Sequence, residues 1–487
     1  MKQHWINGEF AGSSSGESFA VVNPATEEVI DRVARGNTED AARAAEAAYE
    51  AQQDWKFVPG LEKAEKMHEF AHRLRAKKDD IAKLLTQEGG KPFIENLDEV
   101  EWVAGCFDYY AEIGRDYKGK VIGPVFRHQI NFTVKEPYGV VACIVPWNYP
   151  LLLMSWKVAA ALASGNTVII KPSEFTPLST LALAEIFDVF PKGVVNIVAG
   201  FGGEVGEALV KHPKVAKIAF TGGIHTGRRI AVLAAEQLKK VSLELSGNDP
   251  LIVCDDVDVD VAVRGAAWAC YLNMGQVCTS AERIYVFEKI ADSFVKKFVD
   301  FARSLRIGNP MGPDVDLGPM INEAQRKKIE EKLDRALKDG AKLLTGGKRP
   351  ANFTKGFFYE PTVITNVDHS MEIMKSETFG PIAPIMPVKD IAEAVKLADD
   401  SEFGLGASIY TNNMEYAMYA MENVKAGTFW INDPLTDNDA GPFGGMRHSG
   451  ANRELGAEGL DAFRDVKHVH LDYKIEPKYY WYPYKWK

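Results

Sequence analysis

Short apolar runs alternate with amphipathic stretches through the middle of the chain. Thr167 to Lys171 reads as a buried strand ending in Pro-Ser-Glu, and Leu178 to Phe190 carries helical apolar spacing. Val194 to Val198 is a strand ending in AGFGG, and Glu204 to Lys211 a short helix. Lys217 to Phe220 ends in TGG, His225 to Lys240 reads as an amphipathic helix, and Val241 to Leu245 runs into SGNDP. Strands of this length alternating with helices predict a parallel α/β sheet. Upstream, residues 38–86 are Ala-rich and helical in period, entered through Asn37, Thr38 and Glu39, and Asn131 to Lys135 and Val140 to Val145 read as strands. Downstream, Pro250 to about Gly450 holds a second alternating block, with strands at Arg283 to Phe287, Pro361 to Thr365, Ala383 to Val388 and Thr428 to Asn432. Arg464 to Asp472 alternates as a strand should. In open parallel sheets ligands bind beyond the carboxyl ends of the strands. The segments KPSE, AGFGG, TGGIHTG and ELSGN all fall there, which points to a nucleotide-like ligand in the crevice between the two blocks.

Length and composition narrow the classes. A chain of 487 residues is too long for one core, since single cores stop growing at roughly 250–300 residues. The net charge of −10 argues against a nucleic-acid footprint. The greasiest stretch, Val140 to Ala163, is interrupted by Pro146, Asn148, Pro150 and Lys157, so no membrane span is expected. The N-terminus has no apolar signal core and is not Arg-rich, which predicts a cytoplasmic protein. Five cysteines, at 106, 143, 254, 270 and 278, form no C-x-x-C pair. Neither a disulfide framework nor a metal site is expected, and reduced thiols are.

A few residues carry candidate chemistry. Cys278, in GQVCTS, has more polar neighbours than the other four cysteines, and a reactive thiol needs partial exposure and a stabilised thiolate. Gly275 allows close backbone approach beside it. Alone, though, a single Cys is more often structural. Glu244 ends a buried strand, where desolvation raises a carboxyl pKa toward that of a general base; a solvated loop carboxylate is an equal reading. Asn148, between Pro146 and Pro150, is either a fixed amide donor for an oxyanion or a turn former. Lys171 and Glu174 suit a ribose, and an acid there favours NAD over NADP, yet an ordinary ion pair reads as well. No strict G-x-G-x-x-G follows a strand; Gly202, Gly203, Gly222, Gly223 and Gly227 are looser sets.

Together these segments resemble the aldehyde dehydrogenase superfamily over nearly the whole chain. P-W-N-x-P stands at Pro146 to Pro150, K-P-x-E at Lys171 to Glu174, and F-T-G-S-x-x-x-G as FTGGIHTG. E-L-G-G-K stands as ELSGN, G-Q-x-C at Gly275 to Cys278, E-x-F-G-P at Glu377 to Pro381, and the long glycine motif as PFGGMRHSGANRELG. The resemblance implies an α/β aldehyde dehydrogenase fold. Its parallel-sheet NAD-binding domain would take 1–117 and 138–247, its α/β catalytic domain 248–448, and its oligomerisation segments 118–137 and 463–487. It also implies NAD-dependent oxidation of an aldehyde to an acid, in a homodimer or homotetramer. Cys278 would be the nucleophile, Glu244 the base, and Asn148 with the Cys278 N–H the oxyanion hole. Lys157 and Glu454 match positions of a proton relay. Lys171 and Glu174 would hold the adenosine ribose, and Glu377 and Phe379 the nicotinamide end. Trp147, Gly202, Gly222, Gly223, Gly227 and Leu245 would line the cofactor cleft. Tyr149, Trp156 and Trp430 would border a substrate tunnel.

The resemblance leaves two rivals. A CoA-acylating member would lack the base, which Glu244 argues against; a silent binding protein on the same fold would lack a reactive Cys278. Tunnel aromatics with Asp433, Asp437 and Asp439 suit a cationic aldehyde such as betaine aldehyde or an aminoaldehyde, and an apolar tunnel for aliphatic or aromatic aldehydes is an equal reading. The chain departs from the pattern at Gly223, Ser246, Asn248, Arg447 and Asn452. Ser246 stands where a Gly would leave the backbone freer, so Glu244 placement and slower deacylation are the expected points of difference. The tail, with six aromatics between Tyr479 and Trp486, is expected to dock on the body or on a neighbouring subunit, where it could cap a substrate tunnel.

Overall fold

The computed structural model describes residues 1–116 and 119–484. Tyr117 and Lys118, where two of the expected segments meet, and Lys485 to Lys487, with the last tail aromatic Trp486, lie outside the described residues.

Among the described residues, three of the four sheets organise the chain. In the first, eight strands run in the order Gly450–Ala451, Lys240–Glu244, Val215–Thr221, Val140–Ile144, Thr167–Lys171, Val195–Ile197, His4–Ile6, Glu9–Ala11. The five from Lys240–Glu244 to Val195–Ile197 are parallel, and the outer ones pair antiparallel. Val140–Ile144 comes first of the five along the chain and sits in the middle, so connections leave it in opposite directions on its two sides. That is the switch point at which an open α/β sheet opens a crevice. The second sheet orders Lys342–Thr345, Thr362–Thr365, Ile382–Val388, Ala281–Phe287, Asp249–Val253, Gly406–Tyr410 and Thr428–Ile431, parallel except at its first pair. A third, antiparallel sheet pairs Arg464–Asp472 with Gln129–Pro137, and that with Val121–Ile122.

Local chemistry explains the elements. Thr38–Trp55 starts at Asn37, whose side chain accepts from the N–H groups of Glu39 and Asp40 while Asp40 reciprocates. Its Ala41, Ala44, Ala45 and Ala48 form one buried stripe against the first sheet. Pro150–Ala163 is buried at every residue, which is why its sequence is apolar on every side apart from Ser155 and Lys157 and shows no amphipathic period.

Several boundaries differ from the sequence reading. The helix expected over 178–190 is helical only over Pro177–Ala182 and then tightens into short turns. There Phe187 and Phe190 turn inward onto Phe70, with ring centroids 4.6 and 6.4 Å away. The helix expected to reach Lys240 ends at Ala235, where Leu238 takes φ +55° and the Lys239 N–H returns to the Ala234 carbonyl. The 22-residue helix Phe93–Gly114 was not anticipated. Among the described residues no helix is long and apolar enough to cross a membrane.

Candidate active site

Loops from both large sheets meet at the switch point. Pro146 to Tyr149 follows the central strand and leads into Pro150–Ala163. The first turn of that helix is pinned from below, because the buried Glu99 carboxylate accepts the N–H groups of Leu151 and Leu152, both at 3.0 Å. Glu99 is paired with buried Lys91, whose Nζ lies 3.7 Å from the Tyr149 ring centre. Asn148, directly before this anchor, is buried; its Nδ2 donates to the Gln276 carbonyl at 3.0 Å, and its own carbonyl accepts from Asn273 at 3.2 Å. The amide is therefore tied to the loop that carries Cys278.

That loop is tightly wound. Asn273, Met274 and Gly275 have φ of +47°, +61° and +69°. A Cβ on Gly275 would lie 2.4 Å from the Gly380 carbonyl oxygen, so only glycine fits. Cys106, Cys143, Cys254 and Cys270 are buried, and Cys278 alone is partly exposed, toward the cleft. The expected stabilised thiolate is not what the free protein holds. Burial pushes the Cys278 thiol well up, and Asp249, Glu377, Asp437 and Glu244 push it further. Burial, with acidic groups around it, keeps Cys278 as a thiol.

Glu244 ends Lys240–Glu244 and is buried. One oxygen accepts the Gly445 N–H at 3.2 Å, and the other has no hydrogen-bond partner among the described residues. Burial, then nearby Glu454, hold its carboxyl well above the usual carboxylate range. It lies behind the cleft wall. There Lys157 Nζ contacts Glu454 oxygens at 2.7 and 3.0 Å and Thr221 Oγ1 at 2.6 Å, all buried. Lys157 reaches them from Pro150–Ala163. Glu454 is fixed by paired backbone hydrogen bonds with Phe443, both 2.7 Å.

The cofactor candidates divide. Trp147, Gly222, Gly223, Leu245, Glu377 and Phe379 line one cleft with Asn148 and Cys278. Trp147 and Phe379 meet edge to face, 5.4 Å between centroids. Lys171 is buried at its strand end, 3.4 Å from half-exposed Glu174, and burial lowers its pKa. Gly202 lies in an exposed turn outside the cleft lining. Gly227 faces inward, since a Cβ there would fall 2.4 Å from Leu245; it lets the helix Ile224–Ala235 pack closely on the sheet. That helix starts at Gly223 with no side-chain cap and nothing within 4 Å of a Cβ there. Its first N–H groups are thus open to a phosphate, and the donor set fits a dinucleotide. Among the described residues no cluster could hold a metal ion.

Tyr149, Trp156 and Trp430 are buried at 8, 3 and 7% exposure and do not line this cleft. Trp156 packs on Phe443 at 4.9 Å, and Trp430 donates to the Thr436 carbonyl at 2.8 Å, bracing the loop of acidic residues. The three aspartates separate. Asp437 lies near enough to act on Cys278 and Tyr149, Asp439 approaches the helix Phe93–Gly114 at Gly105, and Asp433 acts on Tyr410. Asp437 is accessible yet surrounded, and burial with Asp439 pushes its carboxyl up to about 7.

Two of the departures have local explanations. Ser246 is not among the residues with positive φ, and its side chain hydrogen-bonds Glu377, so the expected need for a freer backbone is not met there. Asn452 has φ +81°, the region where Asn substitutes for Gly at least cost, and its amide donates to the Val241 carbonyl at 2.6 Å. Gln325 and Lys328 also line the cleft; sequence reasoning missed them because they sit on an ordinary charged helix, Glu323–Lys338.

Known proteins resemble this chain over nearly its whole length. The aldehyde dehydrogenase family matches residues 10–469. A chloroplastic aminoaldehyde dehydrogenase of Arabidopsis thaliana is 40% identical, covering 99% of this chain and 98% of its own. A lactaldehyde dehydrogenase of Escherichia coli is 39% identical, covering 96% and 98%. The structure of a betaine aldehyde dehydrogenase of Staphylococcus aureus in complex with NAD+ is similar at a TM-score of 0.97 and 36% identity, covering 99% and 97%.

Proposed function

The chain belongs to the aldehyde dehydrogenase family and is an NAD-dependent aldehyde dehydrogenase, and we propose that it works through a thioester on Cys278 and takes a cationic aldehyde. The observation that carries the reading is the meeting of Cys278 and Asn148 in one cleft with buried Glu244 behind it.

The residues divide the work. Cys278, once deprotonated, attacks the aldehyde carbon, and the Asn148 amide with the Cys278 N–H receives the oxyanion. Bound NAD supplies the hydride acceptor. Trp147, Glu377 and Phe379 would hold its nicotinamide end, Lys171 and Glu174 its adenosine ribose, and Gly222 and Gly223 at the helix N-terminus its phosphates. Glu244 takes the proton of the water that hydrolyses the thioester, and Lys157 with Glu454 offers the buried path by which that proton leaves.

Asp437 supports the cationic substrate. An acidic group whose charge reaches Cys278 and Tyr149 meets a substrate ammonium better than a neutral chain, and the aminoaldehyde and betaine aldehyde relatives act on such substrates by name. The sign with pH follows. Its pKa of about 7 leaves Asp437 neutral below that pH and charged above it, so KM for betaine aldehyde or 3-aminopropanal should fall as pH rises through 7. KM for hexanal should stay level. Asp437→Asn should raise the cationic KM about ten- to a hundredfold, the size of a lost charge-assisted contact. A clear kcat/KM preference of the native protein for hexanal would end this assignment.

We also assign assembly, as a homodimer or homotetramer, to the antiparallel sheet built on Gln129–Pro137. It leaves Val121, Val466 and Leu471 exposed, and Tyr473, Ile475 and the tail aromatics Tyr479 to Tyr484, which follow it along the chain, are exposed as well. A monomeric mass in solution at micromolar concentration would refute it. Five free cysteines accord with a reducing compartment, and we place the protein in the cytoplasm. Targeting of a fluorescent fusion to another compartment would overturn that placement.

A further inference from the structure

We propose that Glu282 is a positioning residue for the cofactor wall, clamping the backbone of 376–379 together with Asn248 and Lys332 so that Glu377 and Phe379 face the cleft. The proposal rests on the reading that Glu377 and Phe379 hold the nicotinamide end of NAD.

Phe379 has φ +53°, a left-handed conformation that a bulky residue adopts only when its surroundings impose it. The imposing groups are on three separate elements. From Ala281–Phe287, Glu282 Oε1 accepts the N–H of Phe379 at 2.7 Å and of Thr378 at 2.9 Å. Its Oε2 lies 2.8 Å from the same Thr378 N–H and accepts the Asn248 amide at 3.0 Å. From Glu323–Lys338, Lys332 Nζ donates to the carbonyls of Ser376 and Glu377 at 2.8 and 2.7 Å. Asn248 adds a bond to the Ser376 carbonyl at 3.3 Å. The segment is thus held by its N–H groups on one side and its carbonyls on the other.

Glu282, Lys332 and Asn248 are all buried. Buried charged groups are a poor way to gain stability, since well-packed apolar groups of similar volume serve as well or better. What Glu282 supplies is direction: two N–H groups aimed at one carboxylate fix the turn that sends Phe379 toward Trp147 and leaves Glu377 beside the Gly247 N–H, at 3.1 Å. Asn248, where the family motif carries Lys, fits this arrangement as the donor to Glu282. None of the three lines the cleft, so they act through the loop and not on a ligand.

The test separates this from plain stability and from the underlying reading. NAD dissociation constants would be measured by quenching of tryptophan fluorescence, alongside KM for NAD and for aldehyde and the melting temperature without NAD. The variants are Glu282→Ala, Glu282→Gln, Lys332→Met and Glu377→Gln. Glu282→Ala and Lys332→Met should each weaken NAD binding about tenfold or more, with aldehyde KM and the rate of Cys278 alkylation without NAD near native. Glu282→Gln, which keeps one acceptor oxygen, should fall between. If Glu282→Ala does not fold, Glu282→Gln and Lys332→Met carry the test. Folded variants that bind NAD as tightly as the native protein, even if they melt earlier, would overturn the clamp. If Glu377→Gln weakens NAD and the clamp variants do not, the clamp alone falls; if Glu377→Gln also has no effect, the underlying reading falls with it.

Discussion

Replacing Cys278 by Ala should stop NADH formation, lowering turnover by on the order of 10⁵-fold or more, the scale of losing a covalent nucleophile. NAD binding should be kept, because the proposed cofactor wall is Trp147, Glu377, Phe379 and the glycines of the helix N-terminus, and the Cys278 side chain braces none of them through a hydrogen bond. The measurement is initial-rate NADH absorbance across a panel of aldehydes, with fluorescence titration of NAD as the binding control. Asn148→Ala gives a graded counterpart. It leaves the thiol but removes one oxyanion donor, for a loss of about 10²–10³ in kcat. Equal collapse in both variants together with lost NAD binding would mean that the loops, not the chemistry, had failed. A Cys278→Ala protein that still turns over would exclude the thioester route.

Glu244→Gln should separate the two halves of the reaction. Acylation needs Cys278 and Asn148, so one NADH per Cys278 should form in a rapid burst. Steady turnover should then fall about 10²–10⁴-fold, because the water has lost its base. Rapid-mixing absorbance shows both. The native pH profile follows from the shifts at the two groups. The Glu244 carboxyl is held above its ordinary range and the Cys278 thiol above its own, each mainly by burial. Each is inactive when protonated, so turnover should climb with pH through both titrations. The limb belonging to hydrolysis should vanish in Glu244→Gln, and the burst rate should keep the limb belonging to Cys278. A Glu244→Gln protein without a burst would show that Glu244 is needed earlier, to activate Cys278.

What the sequence disclosed was chemistry at strand ends. Thr167–Lys171 and Arg464–Asp472 stand where the apolar pattern put them, because strands buried or paired along their whole length leave a clear signature. Pro150–Ala163 did not stand out as a helix, since burial on every side erases helical period. The residues proposed to react were legible through their motif neighbours. Their electrostatics were only half so: the rise at Glu244 follows from ending a buried strand, whereas the acidic groups around Cys278 come from three separate segments, 244–249, 377 and 437. Glu282 and Lys332 were invisible for a related reason. They act on backbone atoms, so no pairing of residue types marks them, and nothing local in AERIYVF or in a charged helix points to a loop about 45–95 residues onward, as the separations of 44, 45, 96 and 97 show.

The cysteine arrangement has a consequence for handling the protein. Four thiols are sealed in the two large cores and one opens into the cleft. The native chain therefore presents a single alkylatable sulfur and the unfolded chain presents five. A plain count of modified thiols thus gives occupancy of the cleft while the fold is intact, and integrity of the fold once it begins to open, from one reagent and without any added label.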